Sequence, residues 1–364
     1  MSAIATLPER MHAVLLTGNG GFDKLDYRED VPVPRFGPGE VLIRVAAAGV
    51  NNTDINTRTA WYSKSVASAT DAGGADGFAE ARSEDSGWTG AVPHFPRIQG
   101  ADACGRIVAL GEGVSASRIG SRVLVEPVFR AEGGPLDSAI YFGSERDGAF
   151  AEFAVVPSRH AHAVDCEWSD AELASIPCAY SAAENMLTRA ELAEGETVLI
   201  TGASGGVGSA AVQLAKRRGA RAIAVVGADK ASAVRAIGAD QTINRGANLL
   251  AELDRESIDV VVDVVGGSQF DELLQLLKRG GRYAVAGAIA GPIVSLDLRT
   301  LYLKDLRLLG CTVIEPTVFP NLVSYIERGE IRPLVAATYP LADIVLAQKA
   351  FLEKTHIGKI VLLC

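Results

Sequence analysis

Residues 197–208, reading TVLITGASGGVG, constrain this chain more than any other stretch. Thr197, Val198, Leu199, Ile200 and Thr201 form a short β-branched and apolar run that enters a turn of small residues, and an apolar helical pattern begins before the turn is over. The order is strand, turn, helix. Without side chains at Gly205, Gly206 and Gly208 the backbone can approach a phosphate, whose charge would sit against the positive end of the new helix. The spacing is Ala203-x-Gly205-x-x-Gly208, with Ala where a dinucleotide fingerprint has its first glycine. Alone, the turn admits two readings, a phosphate cradle or a tight βα turn that binds nothing.

Its surroundings favour the first. Val207, Ala210, Ala211, Leu214 and Ala215 recur at helical spacing and predict one buried face. Lys216, Arg217 and Arg218 lie at the negative end of the helix dipole, and Gly219 is placed to end the helix in the left-handed conformation. Downstream, strand and helix alternate: a strand at 222–226, a helix through Ile237, a strand at 259–265, a helix at 270–277 and a strand at 283–287. Such alternation predicts an α/β domain with a doubly wound parallel sheet.

Upstream, 11–48 and 96–157 read as short β-rich runs broken by Gly and Pro, a separate β-rich domain. Residues 63–92 interrupt it: 17 of these 30 are Ala, Gly or Ser, with Phe78 and Trp88 as the only large anchors, so the segment is an inserted loop, either mobile or an ordered cap. The tail 320–364 returns to mixed helix and strand, and its KIVLL run suits pairing with the first sheet, which would make that domain discontinuous. The expected division is 1–157 with 314–364, and 158–313 between them.

A net charge of −9 argues against nucleic acid as a partner, since that affinity comes from clustered Lys and Arg. The odd number of cysteines, five without close pairs, fits reduced thiols and a cytoplasmic location, and no apolar run of 18 residues predicts a membrane span. An NAD site normally ends its second strand with a carboxylate for the ribose 2′-hydroxyl; here that strand ends Val225, Val226, Gly227. Gly227 leaves room for a 2′-phosphate, toward which Lys230 and Arg245 would converge, so NADP(H) is the expected cofactor. Both cations can instead be plain solvated residues, and Asp229 would repel a phosphate unless it turns away or caps the next helix.

The order of blocks GVNNTDIN, RIQGADACGRIVALGEGV, ITGASGGVGSAAVQLAKRRGA, VVDVVGG and HIGKIVLL resembles the medium-chain dehydrogenase/reductase superfamily, in particular its zinc-lacking quinone oxidoreductase and enoyl reductase-like branch. The resemblance spans nearly the whole chain except 63–92. It implies a GroES-like catalytic domain from both termini, a Rossmann domain between them, an active site in the cleft and a homodimer or homotetramer. Zinc-dependent members hold the metal with a Cys, a His and a later Cys; those positions read Asn51, Ala101 and Cys178, which cannot supply three ligands. The cluster of four cysteines for a structural zinc is missing, and His160/His162 and His94/His12 have no acidic or thiol partner nearby in sequence. No metal is expected.

Without a Lewis acid, a small-molecule acceptor that is already activated, a quinone or an α,β-unsaturated carbonyl, is the expected target of hydride from NADPH. Asn51, Thr53 and Tyr62 are the candidate catalytic donors, because 51–62 is similar to the run in enoyl thioester reductases where a Tyr assists protonation or orients the acceptor. Tyr62 can equally pack beside Trp61 as a loop anchor. The resemblance assigns the cofactor to Ala203, Ser204, Gly205, Gly206, Val207 and Gly208 in the turn, to Gly266 and Gly287 after later strands, to Lys359, and to Ser181 within PCAYSAAE. Two other readings stay open: an alcohol or aldehyde dehydrogenase, and an NADPH-binding interaction or redox-sensing protein.

Overall fold

The computed structural model describes residues 7–90, 92–131 and 133–364. In chain order the elements that place the site are β1 (Glu40–Gly49), α1 (Asn52–Thr59), β2 (Cys104–Leu110), α2 (Pro177–Arg189), β3 (Thr197–Ile200), α3 (Gly206–Arg217) and β4 (Arg221–Val226). They continue with β5 (Gln241–Asn244), β6 (Ile258–Asp263), β7 (Leu277–Val285), β8 (Arg307–Gly310), α4 (Val318–Glu327), β9 (Val335–Pro340), α5 (Ile344–Glu353) and β10 (Lys359–Leu363).

Near-continuous apolar runs suit strands covered on both faces, and Val198, Leu199, Ile200, Val260, Val261 and Val262 are fully buried. These strands form a six-stranded parallel sheet in the order β5-β4-β3-β6-β7-β8. Sequential strands run outward from β3 in two directions, so the crevice between β3 and β6, at the carboxyl ends, is the topological switch point. The helix after the glycine turn buries Ala210, Ala211, Leu214 and Ala215 as its spacing predicts, and Gly219 takes a φ of 75° just past its end. The largest differences from the sequence reading are in two elements. β6 stops at Asp263, so Val264 and Val265 leave the sheet, and β7 starts six residues early because Leu277 already pairs with Ile258.

The β-rich lobe is a seven-stranded sheet in which β10 pairs antiparallel with β1 (Val361 opposite Gly49, Leu363 opposite Ala47) and parallel with β9. The last strand thus lies beside the strand that precedes the first helix of the site. The tail divides its allegiance: α4 packs Phe319, Leu322 and Ile326 into the same core as Met186 and Leu187 of α2, whereas α5 packs Ile344 and Phe351 with the β-rich lobe. Among the described residues no helix is long and apolar enough to cross a membrane.

The described residues of 63–92 hold one short 3-10 turn, Ser83–Asp85, yet are tied down at several points. Arg58, fully buried at the end of α1, donates to the Gly74 carbonyl at 2.7 Å, to the Gly20 carbonyl at 2.8 Å and to Gln348 Oε1 at 2.9 Å. Trp61 Nε1 donates to the Ser68 carbonyl, the Phe78 ring lies against Gly73 so closely that a Cβ there would meet it at 2.5 Å, and the Thr70 amide donates to the Ile289 carbonyl of the other lobe. The insertion is an ordered bridge between the lobes.

Candidate active site

The glycine turn is shaped by close backbone approach. A Cβ at Gly208 would lie 2.3 Å from the Gly202 carbonyl oxygen and 2.7 Å from Ala203 Cα, so the helix can start this near the strand only with glycine there. A Cβ at Gly206 would meet Lys359 Cδ at 2.9 Å. Over the turn opens a cavity of about 890 Å³ whose walls include Ser204, Gly205, Gly206, Gly227, Lys230, Arg245 and Gly266. Its apolar side is Val225, Val226, Val265, Ile289 and Ala290, the last three from the stretch that leaves β6 and the loop after β7. Amides at a helix start, an apolar wall and two cations are the parts a dinucleotide site needs.

Other expected cofactor residues lie outside the cavity walls. Ala203 is buried and Val207 and Gly208 belong to the helix packing beneath the turn; Gly287 sits against the Val264 backbone. Ser181 is buried within α2, where its hydroxyl donates to the Cys178 carbonyl three residues back, so the expectation that it reaches a phosphate or carboxamide is not met in this structure. Lys230 lines the cavity but donates to the carbonyls of Lys354 and His356, while no side-chain bond engages Arg245 among the described residues. Asp229 is absent from the walls; it folds back over Gly227, where a Cβ would come within 2.7 Å of its Oδ1.

Among the wall residues that sequence reasoning missed are Asn52, Lys354 and His356. Lys354 caps α5 in the left-handed conformation with its ammonium 3.7 Å over the Phe351 ring and 3.2 Å from Asn52 Oδ1. Burial, opposed by Asp71 and reinforced by Lys230, brings its pKa down to about 8. His356 is pushed down to about 4, by burial first and then by Lys354, Lys230 and Lys359, so its ring is neutral, and Nδ1 has no partner. Only the folding of the C-terminal turn onto the glycine turn, through the Gly358 amide and the Ser204 carbonyl, brings this group in.

Beside the cavity is a buried polar cluster. Lys359, at the start of β10, places its ammonium 2.9 Å from Asp102 Oδ2 and 2.9 Å from the Val50 carbonyl, and also donates to Asn51 Oδ1. Asn51 in turn donates to Asp102 Oδ2 at 2.8 Å and to the Gly49 carbonyl at 3.3 Å, and Asp102 Oδ1 accepts the Cys178 amide of α2. Asp54 accepts the Asn51 amide at 2.8 Å, and burial raises it to about 7. Both amide protons of Asn51 are therefore committed. This corrects the expectation that Asn51 donates to an acceptor: it positions its neighbours instead.

Three positions that hold a catalytic metal in zinc-dependent dehydrogenases meet here as Asn51, Ala101 and Cys178. Ala101 has no donor atom, burial holds the Cys178 thiol in its neutral form far above its usual pKa, and the Lys359 ammonium already faces Asp102. This donor set does not fit a zinc ion. His160 and His162, which have no acidic or thiol partner nearby in sequence, meet one from a distant segment: Glu126 accepts from His160 at 2.9 Å and contacts His162 at 3.2 Å beside the antiparallel pairing of 161–163 with 123–125. Among the described residues no group of three or more His, Cys, Asp or Glu side chains is arranged to hold a metal.

Tyr62 stands next to this cluster. The Thr53 and Asn56 side chains reach its oxygen, Cys178 and Asp54 are its charged or polar neighbours, and its ring meets Trp61 edge-on. Burial pushes its pKa up to about 12, which keeps the phenol protonated throughout the neutral range. The structure thus brings Thr53 and Tyr62 together beside the polar cluster.

Comparison with known proteins follows the same division. The model for the alcohol dehydrogenase GroES-like domain matches residues 37–165, and that for zinc-binding dehydrogenase matches 206–328. An acryloyl-coenzyme A reductase from Metallosphaera sedula is 34% identical over 279 residues, 74% of this chain and 83% of the relative. A solved Sinorhizobium meliloti 1021 structure, provisionally assigned as an alcohol dehydrogenase, is 47% identical with a TM-score of 0.88, covering 99% of this chain and 98% of its own. The 2-octenoyl-CoA carboxylase reductase CinF, solved with NADP and 2-octenoyl-CoA, is 26% identical with a TM-score of 0.82, covering 99% and 89%.

Lys354 generates a pH prediction. Its folded pKa lies near 8, so its charge is present below that value and lost above it, with Asp71, Lys230 and Asn52 as the groups that face it. The affinity for NADPH, read by cofactor fluorescence, should weaken about 3–10-fold between pH 7 and pH 9, the effect of one partly buried cation on a phosphate. In Lys354→Gln that dependence should flatten; an unchanged slope would remove Lys354 from the phosphate site.

Proposed function

The chain belongs to the medium-chain dehydrogenase/reductase superfamily and is an oxidoreductase of the enoyl or quinone reductase type, and on that premise we propose that it reduces a quinone or an α,β-unsaturated carbonyl with NADPH and without zinc. The observation that carries this reading is the buried Lys359–Asp102–Asn51 cluster at the family's metal position. NADPH is favoured over NADH by the absence of a carboxylate at Gly227, by Asp229 turning out of the cavity and by Arg245, Lys230 and Lys354 on its wall.

When bound, NADPH supplies a hydride to the acceptor. The chain's residues do the rest. The Gly205–Gly206 turn and Arg245 hold phosphates, Gly266 lets the cofactor lie close to backbone, and Val265, Ile289 and Ala290 provide a dry wall. As hydride adds to the far carbon of a conjugated acceptor, the π electrons move to its oxygen. Tyr62, protonated and backed by Thr53, donates a hydrogen bond there and stabilises the enolate or phenolate. The enolate carbon, or the phenolate oxygen of a reduced quinone, then takes a proton from solvent and the product leaves.

The similarity to an alcohol dehydrogenase structure favours a second reading, oxidation of an alcohol. That reaction needs a group to take the hydroxyl proton. Here Asn51 and Ala101 are not bases, and burial keeps both the Cys178 thiol and the Tyr62 phenol protonated.

The open edge of the parallel sheet supports self-association. β8 ends the sheet, and around it Leu298, Tyr302, Leu303 and Leu308 are exposed, an apolar border beside unpaired strand groups. A second copy pairing along this edge would cover both. Light scattering should give twice the 38.1 kDa chain mass, and the mass of one chain would contradict this.

For the reaction, NADPH consumption with a panel of quinones and enones should exceed that with NADH, and a protein that turns over none of them would contradict the assignment. Tyr62→Phe should slow enone reduction about 10–100-fold while the NADPH dissociation constant changes less than twofold. An equal loss in both would make Tyr62 a packing residue.

A further inference from the structure

The insertion 63–92 delivers one large aromatic residue to the site, and nothing in the reaction described so far uses it. Trp88 is half-buried. One face rests on Tyr141, with ring centroids 4.6 Å apart and planes inclined by 27°. The other side looks toward Tyr62, whose plane is parallel to within 5° but whose centroid is 6.5 Å away, at the outer end of the range for aromatic contact. Trp88 is therefore supported from behind and loosely engaged in front.

Its position is fixed on both flanks. Glu145 accepts the Tyr141 amide at 3.0 Å and the Thr89 hydroxyl at 3.1 Å, which ties the backing ring to the residue after Trp88. Two residues before it, the buried Ser86 hydroxyl donates to Asn19 Oδ1. The chain between those points has little freedom, so the indole is a rigid wall rather than a swinging lid. Beyond it lies the Tyr62 phenol with Thr53, Asp54 and Cys178 around it.

We propose that Trp88 determines which acceptor is used, by forming with Tyr62 an aromatic platform that favours a flat, conjugated group, an aryl enone or a fused-ring quinone, over a short aliphatic one. The proposal rests on the reductase reading above. A planar π-system gains contact along the indole face while its carbonyl oxygen stays within reach of the phenol; an aliphatic enone has the same carbonyl but little surface to stack. Trp88 is a specificity-determining residue here and takes no part in proton movement.

The test uses the full chain with NADPH and three acceptors: 1,4-naphthoquinone, 4-phenyl-3-buten-2-one and 3-penten-2-one. Trp88→Ala should raise KM for the two flat acceptors about tenfold, the upper end of what one aromatic face supplies, and leave 3-penten-2-one and the NADPH dissociation constant within about twofold. Equal effects on all three acceptors, or none, overturn the proposal. If Trp88→Ala lowers the melting temperature enough to blur the comparison, Trp88→Phe and Trp88→Leu decide it: Phe should keep the preference for flat acceptors and Leu should lose it, and identical behaviour overturns the proposal. Calorimetric binding of 1,4-naphthoquinone to the NADP⁺-bound wild type and Trp88→Ala proteins separates the two claims. Weaker binding in the variant supports the platform even where the wild type shows no turnover, the result that sinks the reductase reading alone; equal binding sinks the platform.

Discussion

The Lys359 ammonium buried against Asp102 is the contact on which the arrangement of the site depends. Lys359 begins the last strand, its stem packs on Gly206 of the cofactor turn, and its charge is shared by Asp102, the Val50 carbonyl and Asn51. Asp102 carries the link onward to the Cys178 amide at the start of α2. One side chain thus connects the end of the chain, the glycine turn and the start of α2 in one lobe and, through Val50 and Asn51, the start of α1 in the other. Taking both ions out of water is costly, and the pair is tolerable because each ammonium proton and most carboxylate lone pairs find partners. Removing the lysine would leave Asp102 buried without its counter-charge, an arrangement that costs about 3–5 kcal/mol.

The same contact explains the division of labour around it. Because Asn51 spends both amide protons inside the cluster, under the reading proposed above the acceptor is left to the hydroxyls of Thr53 and Tyr62. Burial then does two things at once: it keeps Tyr62 a proton donor and keeps Cys178 a neutral thiol. The insertion adds a second fixed element. Arg58, with no carboxylate in its first ring of partners, spends its donors on carbonyls of two loops and on Gln348, and so holds the insertion to the β-rich lobe while Thr70 holds it to the other.

Much of this was legible in the amino-acid order. Period-3.6 apolar spacing located the helix from Gly206, and alternation of strands and helices gave the parallel sheet, because those signals reflect burial that any cooperative fold must satisfy. The glycine turn and the two cations at 230 and 245, which line the cavity, could also be read directly. What could not be read depended on contacts between segments far apart. Lys354 and His356 reach the cavity only because a left-handed cap turns the chain at the end of α5, and no spacing rule foretells that. Ser181 failed because a helix-interior hydroxyl found a nearer acceptor in its own backbone. Glu126 met His160 and His162 through strand pairing, and the insertion's order comes from single hydrogen bonds to residues scattered from 19 to 289.

The claim that an internal lysine–carboxylate pair stands where relatives keep a metal is tested most directly by measuring zinc content and turnover on the same sample. Elemental analysis of active, purified protein should find well under one zinc per chain, with the rate of NADPH-dependent reduction unchanged after dialysis against a chelator. One zinc per chain, with activity lost on chelation and restored by added zinc, would contradict the account.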